Sequence, residues 1–124
     1  MNLNNFTIEV IIPIFNEEES IPNLISALVK ERNHCANRFK NYEISFCFVN
    51  DGSTDRSLDI LKNYLNDYSG IKILNLSRNF GHQGALAAGF SCLSTDFIIV
   101  IDADLQDPPN LIGKFIEKIE QNND

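Results

Sequence analysis

The chain alternates four apolar, β-branched segments with segments of helical spacing, and this alternation constrains its fold more than any other feature. The strand-like segments are residues 6–14, 43–49, 71–76 and 96–101. Runs that are apolar on both faces are typical of strands buried on both sides of a parallel sheet. Because the connections are short, the pattern predicts a Rossmann-like α/β fold, a parallel sheet with right-handed crossovers and flanking helices.

Four helices are predicted around these strands. The apolar stripe of the first is Ile21, Leu24, Ile25, Leu28 and Val29, and that of the second is Leu58, Leu61, Leu65 and Tyr68. Both stripes have the spacing of one helix face. The third helix is expected over about residues 81–93, and the fourth begins with Asp107 as N-cap and Pro108 at its first position. Residues 1–124 are predicted to form a single domain, since no repeat or linker divides them.

Polar side chains collect just beyond the carboxyl end of each predicted strand. The clusters are residues 16–19, 50–53, 77–79 and 102–104. In open parallel sheets the ligand crevice lies at this edge, where the strand order reverses. If the strands run 3-2-1-4, the reversal falls between the first and fourth strands. Glu17 is then expected to face Asp102 and Asp104 across one crevice.

Asp102 and Asp104 are separated by one residue directly after an apolar strand, so in an extended conformation both carboxylates point to the same side. This arrangement suits Mg²⁺ or Mn²⁺, which bind one or two protein carboxylates and complete their shell with water and phosphate oxygens. The net charge of −7 is explained most simply by solubility. If the ligand is nevertheless an anionic nucleotide, an acidic pocket would repel it unless a divalent cation lay between them. Acidic residues after a strand are also ordinary loop and cap residues, and the tripeptide alone leaves that interpretation open.

The residues that follow the first two strands also have two interpretations. Gly52 permits a tight turn, and Ser53 or Thr54 is expected to cap the second helix. Asp51 is then left free to accept hydrogen bonds from the ring edge of a nucleobase. Glu17 is compatible with a contact to ribose hydroxyls, and equally with a favourable position near a helix N-terminus.

Other functional classes are disfavoured by charge and spacing. The net charge of −7 argues against nucleic-acid binding, which needs clustered Lys and Arg. Glycines 81, 84 and 89 match neither the dinucleotide-binding nor the P-loop pattern, so an oxidoreductase is disfavoured. His82 has no second ligand at metal spacing, and a loop or packing role is favoured for it. Arg78 and His82 remain minor candidates for contacting a diphosphate.

The chain carries no obvious membrane or export signal. Its longest apolar run, residues 97–101, is far shorter than the roughly 20 residues that span a bilayer. With no secretory signal at the N-terminus, a cytoplasmic location is predicted. The three cysteines are an odd number without close pairing, and no chemistry is assigned to them.

Four strings of the sequence, VIIPIFNEEESI, VNDGSTDRS, LSRNFGHQGALAAGF and IDADLQDPP, resemble the successive signatures of glycosyltransferase family 2. The DADLQDPP string and residues 78–81 are similar, more narrowly, to polyprenyl-phosphate (dolichol- and undecaprenyl-phosphate) glycosyltransferases. The resemblance covers nearly the whole chain. It implies an A-type glycosyltransferase fold that binds a nucleotide diphosphate sugar and transfers the sugar, with inversion, to a lipid phosphate.

The resemblance also implies a set of site residues. Those expected to line the nucleotide-sugar pocket are Pro13, Phe15, Glu17, Val49, Asp51 and Ala103, and those expected around a Mg²⁺ or Mn²⁺ ion are Asp102, Asp104 and Gln106. Family members often have tyrosine where this chain has Phe15, so a hydroxyl contact is lost there. The choice between UDP and GDP, and the identity of the sugar, stay open.

Family enzymes continue beyond the fourth helix, with an acidic general base and with basic residues that hold the diphosphate and the acceptor. The resemblance therefore predicts that residues 1–124 are the nucleotide-sugar-binding part of a longer enzyme acting at the cytoplasmic face of a membrane. The base is expected beyond Asp124, and an exposed sheet edge is expected to favour self-association. Two alternatives stay open: a family enzyme that transfers to a saccharide hydroxyl in polysaccharide or lipopolysaccharide synthesis, and a non-catalytic nucleotide-binding or interaction fragment.

Overall fold

A computed structural model describes residues 5–104 and 110–122 and contains one four-stranded sheet. Its strands are β1 (Phe6–Ile14), β2 (Tyr42–Asn50), β3 (Ile71–Asn75) and β4 (Phe97–Val100). They lie in the order β3-β2-β1-β4, and every neighbouring pair is parallel. The predicted Rossmann-like sheet is confirmed, together with the strand order from which the crevice was located.

The helices cover the two faces of the sheet unequally. They are α1 (Ile21–Arg38), α2 (Ser57–Tyr64), α3 (Gly81–Ser91) and α4 (Leu111–Asn122). α1, α2 and α4 share the larger core with the even-numbered residues of β1, such as Val10 and Ile12. Among the described residues, α3 is the helix that packs on the opposite face, where Ala85 joins Ile11 and Val49.

The first helix forms as its apolar stripe predicts. Ile21, Leu24, Ile25 and Leu28 are all buried against the sheet. Burial of each such side chain contributes roughly 1.5–3 kcal/mol to stability. α1 therefore fixes the loop that follows β1, because the helix begins only seven residues after that strand ends.

The second helix is shorter than predicted. α2 ends at Tyr64, and the stripe assigned to it was wrong at Leu65 and Tyr68, which are both exposed. The backbone N–H groups of Asp67 and Tyr68 each donate to the carbonyl of Tyr64 at 3.2 Å, which turns the chain back toward β3. Other boundaries differ by one or two residues, the usual uncertainty at element ends. The predicted start of the fourth helix at Asp107 and Pro108 lies outside the described residues.

The two outer strands leave one edge each without a partner strand in the part of the chain that the structure describes. Self-association through such an edge stays a prediction. Within residues 5–104 and 110–122, none of the helices has both the length and the apolar character that crossing a membrane requires.

Candidate functional site

A cleft of about 420 Å³ opens at the carboxyl end of the sheet. Its lining residues are Pro13, Ile14, Phe15, Glu17, Asp51, Asn79, Gly81, His82, Asp102, Ala103 and Asp104. β1 is paired with β2 on one side and β4 on the other, so the loops after β1 and β4 lie side by side where the strand order reverses. The structure thus brings together most of the residues expected at the site.

Two expected site residues are not brought together with the others. Val49 is fully buried among Ile11, Cys47 and Ala85, and it is not among the described side chains that line the cleft. A contact between Val49 and a nucleobase therefore stays a prediction. Gln106 lies outside the described residues.

One side of the cleft is strongly acidic. Burial raises the pKa of Glu17 above its ordinary value, and the negative charge of Asp104 raises it further. Asp102 lines the same cleft, two residues before Asp104 on the loop after β4. Glu17 and Asp104 line the same cleft, so the loops after β1 and β4 lie close together, as the strand order predicts. Such a cleft attracts cations and repels anions.

The oxygen donors of this cleft fit a hard divalent cation. Asp102 and Asp104 flank Ala103, which is buried, so one short loop presents two carboxylates. Across the described ranges, no three His, Cys, Asp or Glu side chains form a group that could hold a metal ion. Mg²⁺ and Mn²⁺ do not need such a group, because they bind one or two carboxylates and take the remaining oxygens from water and substrate phosphates. The residues present therefore fit a site that a diphosphate completes.

Asp51 is not free, which corrects the sequence-based interpretation. Its Oδ1 accepts a hydrogen bond from the backbone N–H of Phe80 at 2.7 Å, and its Oδ2 accepts one from Asn79 Nδ2 at 3.2 Å. The side chain is nevertheless part of the cleft lining. Each carboxylate oxygen has more than one lone-pair site, so Asp51 can hold the loop after β3 and still accept a bond from a ligand.

Gly52 lets the loops after β2 and β3 touch. Its φ of 68° confirms the predicted tight turn. An added Cβ would lie 2.3 Å from the backbone nitrogen of Asn79 and 2.4 Å from the carbonyl carbon of Arg78. The glycine is therefore required by contact as well as by conformation, and it places Asn79 beside Asp51.

The loops after β1 and β2 are joined by side chains, and the capping prediction was wrong for this reason. Asn16 Oδ1 accepts hydrogen bonds from the backbone N–H groups of Thr54 at 2.7 Å and Asp55 at 3.2 Å. In the other direction, the backbone N–H of Asn16 donates a hydrogen bond to Ser53 Oγ at 2.9 Å. Ser53 and Thr54 therefore bind the neighbouring loop and do not cap α2. At the start of α2 it is Asp55 that binds the helix backbone: its Oδ1 accepts a hydrogen bond from the backbone N–H of Ser57 at 2.9 Å.

The hydrogen bonds that Asn79 and the Phe80 backbone donate to Asp51 were not predicted from the sequence. Asn79 belongs to the polar cluster after the third strand, so its place at the sheet edge was a usable signal. The contact of the Phe80 N–H with Asp51 had no such signal, because any residue offers a backbone donor. His82, given a loop or packing role, lies exposed in the first turn of α3 and lines the cleft.

Glu17 is expected to titrate above its ordinary pKa of 4.5, because it is desolvated and faces Asp104. The folded protein then binds this proton more tightly than the unfolded chain does. The contribution of Glu17 to the free energy of unfolding therefore falls as pH rises from 4.5 through the folded-state pKa. Carboxyl carbon-13 NMR in metal-free buffer measures the pKa directly.

The substitution Asp104→Asn is expected to lower the pKa of Glu17 toward 4.5, since it removes a negative charge that raises it. Glu19→Gln is the matched control, because Glu19 is an exposed carboxylate outside the cleft lining. An unchanged Glu17 pKa in Asp104→Asn would mean that the two carboxylates do not interact across the cleft.

Comparison with known proteins gives one family over almost the entire chain. The model of glycosyl transferase family 2 matches residues 9–124. An uncharacterized glycosyltransferase, YkcC, of Bacillus subtilis (strain 168) is 44% identical over 88% of this chain and 32% of its own length. An undecaprenyl-phosphate 4-deoxy-4-formamido-L-arabinose transferase of Edwardsiella ictaluri (strain 93-146) is 36% identical over 94% of this chain and 35% of its own length. The chain thus spans about a third of these curated relatives.

Among solved structures, the chain resembles the mannosyltransferase PcManGT from Pyrobaculum calidifontis, determined in complex with GDP-Man and Mn²⁺. The TM-score is 0.75 at 15% identity, over 93% of this chain and 32% of that one. At this identity the likeness concerns the fold alone, which is that of the A-type glycosyltransferases.

Proposed function

The chain belongs to glycosyl transferase family 2, and from this premise we propose that its cleft binds a nucleotide diphosphate sugar together with a divalent cation. The observation that carries the proposal is the meeting of Glu17, Asp102 and Asp104 in one cleft at the strand reversal. An acidic cleft accepts an anionic diphosphate only when a cation neutralises part of the charge. The PcManGT complex with GDP-Man and Mn²⁺ supports this pairing of ligand and metal.

The lining residues divide into a nucleoside end and a phosphate end. At the nucleoside end, Asp51 would accept a hydrogen bond from the base, and Glu17 would contact the ribose. Pro13 and Phe15 would supply apolar walls; Phe15 is 47% exposed and has no competing role in the core. Val49 would lie behind the base. This arrangement is supported by the shared position of these residues, Val49 excepted, along the ends of β1 and β2.

At the phosphate end, Asp102 and Asp104 would hold Mg²⁺ or Mn²⁺ with Gln106, and Ala103 would lie against the ribose or the diphosphate. The metal, when bound, supplies positive charge that stabilises the diphosphate as it leaves. The chain's own contribution is to present two carboxylates on a loop whose middle residue is buried. A buried Ala103 keeps this loop close to the sheet.

The proposed reaction transfers the sugar to a polyprenyl phosphate with inversion at the anomeric carbon. An oxygen of the acceptor phosphate attacks that carbon, and the bond from the carbon to the diphosphate oxygen breaks. The nucleoside diphosphate leaves with the bonding electrons. The relative named as an undecaprenyl-phosphate transferase, 36% identical over 94% of the chain, supports a lipid phosphate as acceptor.

Calorimetric titration of the 124-residue chain with UDP-glucose, UDP-N-acetylglucosamine and GDP-mannose tests the donor proposal. Binding is expected for the sugars of one nucleotide in the presence of Mn²⁺ and should be much weaker, with only residual affinity, in EDTA. Free UMP and GMP serve as controls that retain the base without the diphosphate. Failure of every donor to bind in the presence of Mn²⁺ would contradict the proposal.

A further inference from the structure

We propose that Asn16 is a positioning residue for the donor: it holds Phe15 and Glu17 in the places from which they bind the nucleoside, without contacting the ligand itself. This inference rests on the proposed function, since it concerns the nucleoside end of the same cleft. Phe15 and Glu17 line the cleft, whereas Asn16 between them is exposed and is not among the described lining residues. The side chain of Asn16 is directed to the loop after β2 instead.

The backbone of Asn16 has an uncommon conformation. Its φ is 52°, and within the described ranges no other residue except glycine has a positive φ. Asparagine adopts this left-handed conformation more readily than most residues, yet it is still disfavoured. A residue stays in such a conformation only when its surroundings hold it there, and residues of this kind are concentrated at functional sites. The contacts around Asn16 therefore show what the conformation achieves.

Three successive backbone N–H groups of the loop after β1 donate hydrogen bonds to side chains of the loop after β2. These bonds run from Asn16 to Ser53 Oγ at 2.9 Å, from Glu17 to Ser57 Oγ at 2.9 Å and from Glu18 to Asp55 Oδ2 at 3.1 Å. A left-handed residue lets successive N–H groups turn toward one side of the chain. Ser57 is fully buried as the first residue of α2, so the N–H of Glu17 is joined to the core.

The Asn16 side chain joins the same two loops in the opposite direction. Its Oδ1 is the shared acceptor for the backbone N–H groups of Thr54 at 2.7 Å and Asp55 at 3.2 Å. A glycine at position 16 would adopt the left-handed backbone easily but would offer no acceptor. An aspartate would offer the acceptor and would also tolerate the backbone. These two substitutions therefore separate the contribution of the side chain from that of the backbone.

The joined loops fix the backbone on both sides of Asn16. The carbonyl of Ile14 accepts the N–H of Asp51 at 2.8 Å, and the carbonyl of Glu17 accepts the N–H of Ser20 at 2.9 Å. Phe15 and Glu17 thus lie in a short segment that is held at each end and in the middle. Without the Asn16 acceptor the segment would occupy several conformations, and donor affinity would fall with the fraction that keeps both side chains in place. The phosphate end, on the loop after β4, would not change.

Calorimetric titration of the 124-residue chain in Mn²⁺ tests the inference, with UDP-glucose and GDP-mannose as donors and inorganic pyrophosphate as a ligand for the phosphate end alone. Asn16→Gly is expected to weaken binding of the preferred donor roughly tenfold, as when about one molecule in ten keeps the segment in place. Its affinity for pyrophosphate should not change. Asn16→Asp should bind both ligands almost as the unaltered chain does. The matched control is Asn66→Gly, at an exposed asparagine in the turn after α2 and outside the cleft lining, which should alter neither affinity.

Urea denaturation of each variant identifies conditions in which all four proteins are folded. Equal donor affinity of Asn16→Gly and the unaltered chain would overturn the inference. So would equal weakening of donor and pyrophosphate binding, which indicates a general loss of structure, or a loss in Asn16→Asp as large as that in Asn16→Gly. In each of these results the unaltered chain still binds the donor, and the proposed function stands. Failure of the unaltered chain to bind any donor rejects the proposed function and this inference with it.

Discussion

Replacement of Gly52 by alanine is expected to destabilise the fold by about 4 kcal/mol, a large part of the roughly 5–15 kcal/mol that holds a domain of this size together. Two costs combine. A non-glycine residue at φ 68° loses roughly 1–2 kcal/mol through its left-handed backbone. The added Cβ would also stand 2.3 Å from Asn79 N and 2.4 Å from Arg78 C, so the loop after β3 must move and its hydrogen bonds to Asp51 must lengthen or break. Urea denaturation measures the change.

Gly81→Ala is the control for Gly52→Ala. Gly81 also has a positive φ, of 87°, but a Cβ there would meet nothing within 4 Å. The Gly81→Ala variant should therefore lose only the backbone contribution to the free energy of unfolding, about 1–2 kcal/mol. The difference between the two variants isolates the contact between the loops after β2 and β3. Equal destabilisation by the two substitutions would show that this contact contributes nothing.

The sheet was predictable because its signal is repeated along the chain. β1 was predicted at residues 6–14 and is observed there, since one of its faces is wholly apolar and buried in the larger core and the other places Ile11 in the smaller core. Short connections between such strands allow few topologies. The order β3-β2-β1-β4 then determines which loops meet, and the cleft follows from it.

The loops were less predictable because their hydrogen bonds join residues far apart in the sequence. Ser53 and Thr54 have the chemistry of helix caps, yet they bind Asn16, 37 and 38 positions away. Asp51 looked free for a ligand because its partners, Asn79 and Phe80, lie 28 and 29 positions later. Local patterns describe what a side chain can bond, and the tertiary fold decides which partner it meets.

The candidate site was predictable in place and only partly in detail. Acidic residues at strand ends located the cleft, and Glu17, Asp102 and Asp104 line it. Val49 was expected beside the base from a resemblance to other enzymes, but its side chain is buried on the α3 face of the sheet. The backbone of a strand residue can lie near a ligand while its side chain packs in the core. The residue type alone does not distinguish this case from a side-chain contact with the ligand.

The substitution Asp104→Asn is expected to change donor affinity in opposite directions with and without metal. In Mn²⁺ the substitution removes a proposed metal ligand, and the affinity for the nucleotide sugar should fall by about 100-fold or more. Even the loss of a residue that only hydrogen-bonds to a metal ligand lowers metal affinity by about 10- to 100-fold. In EDTA it removes a negative charge from a cleft whose carboxylates already repel each other. Residual binding of the anionic donor should then be equal to or slightly tighter than that of the unaltered chain.

Glu19→Gln removes the same unit of charge from an exposed position outside the cleft lining and should leave both affinities nearly unchanged. Titration of the three proteins in Mn²⁺ and in EDTA therefore separates coordination from general electrostatics. If Asp104→Asn tightened binding in Mn²⁺ as well, the carboxylate would act only as a repulsive charge. An equal loss of donor affinity in Mn²⁺ and in EDTA would instead mean that Asp104 shapes the cleft without binding a cation.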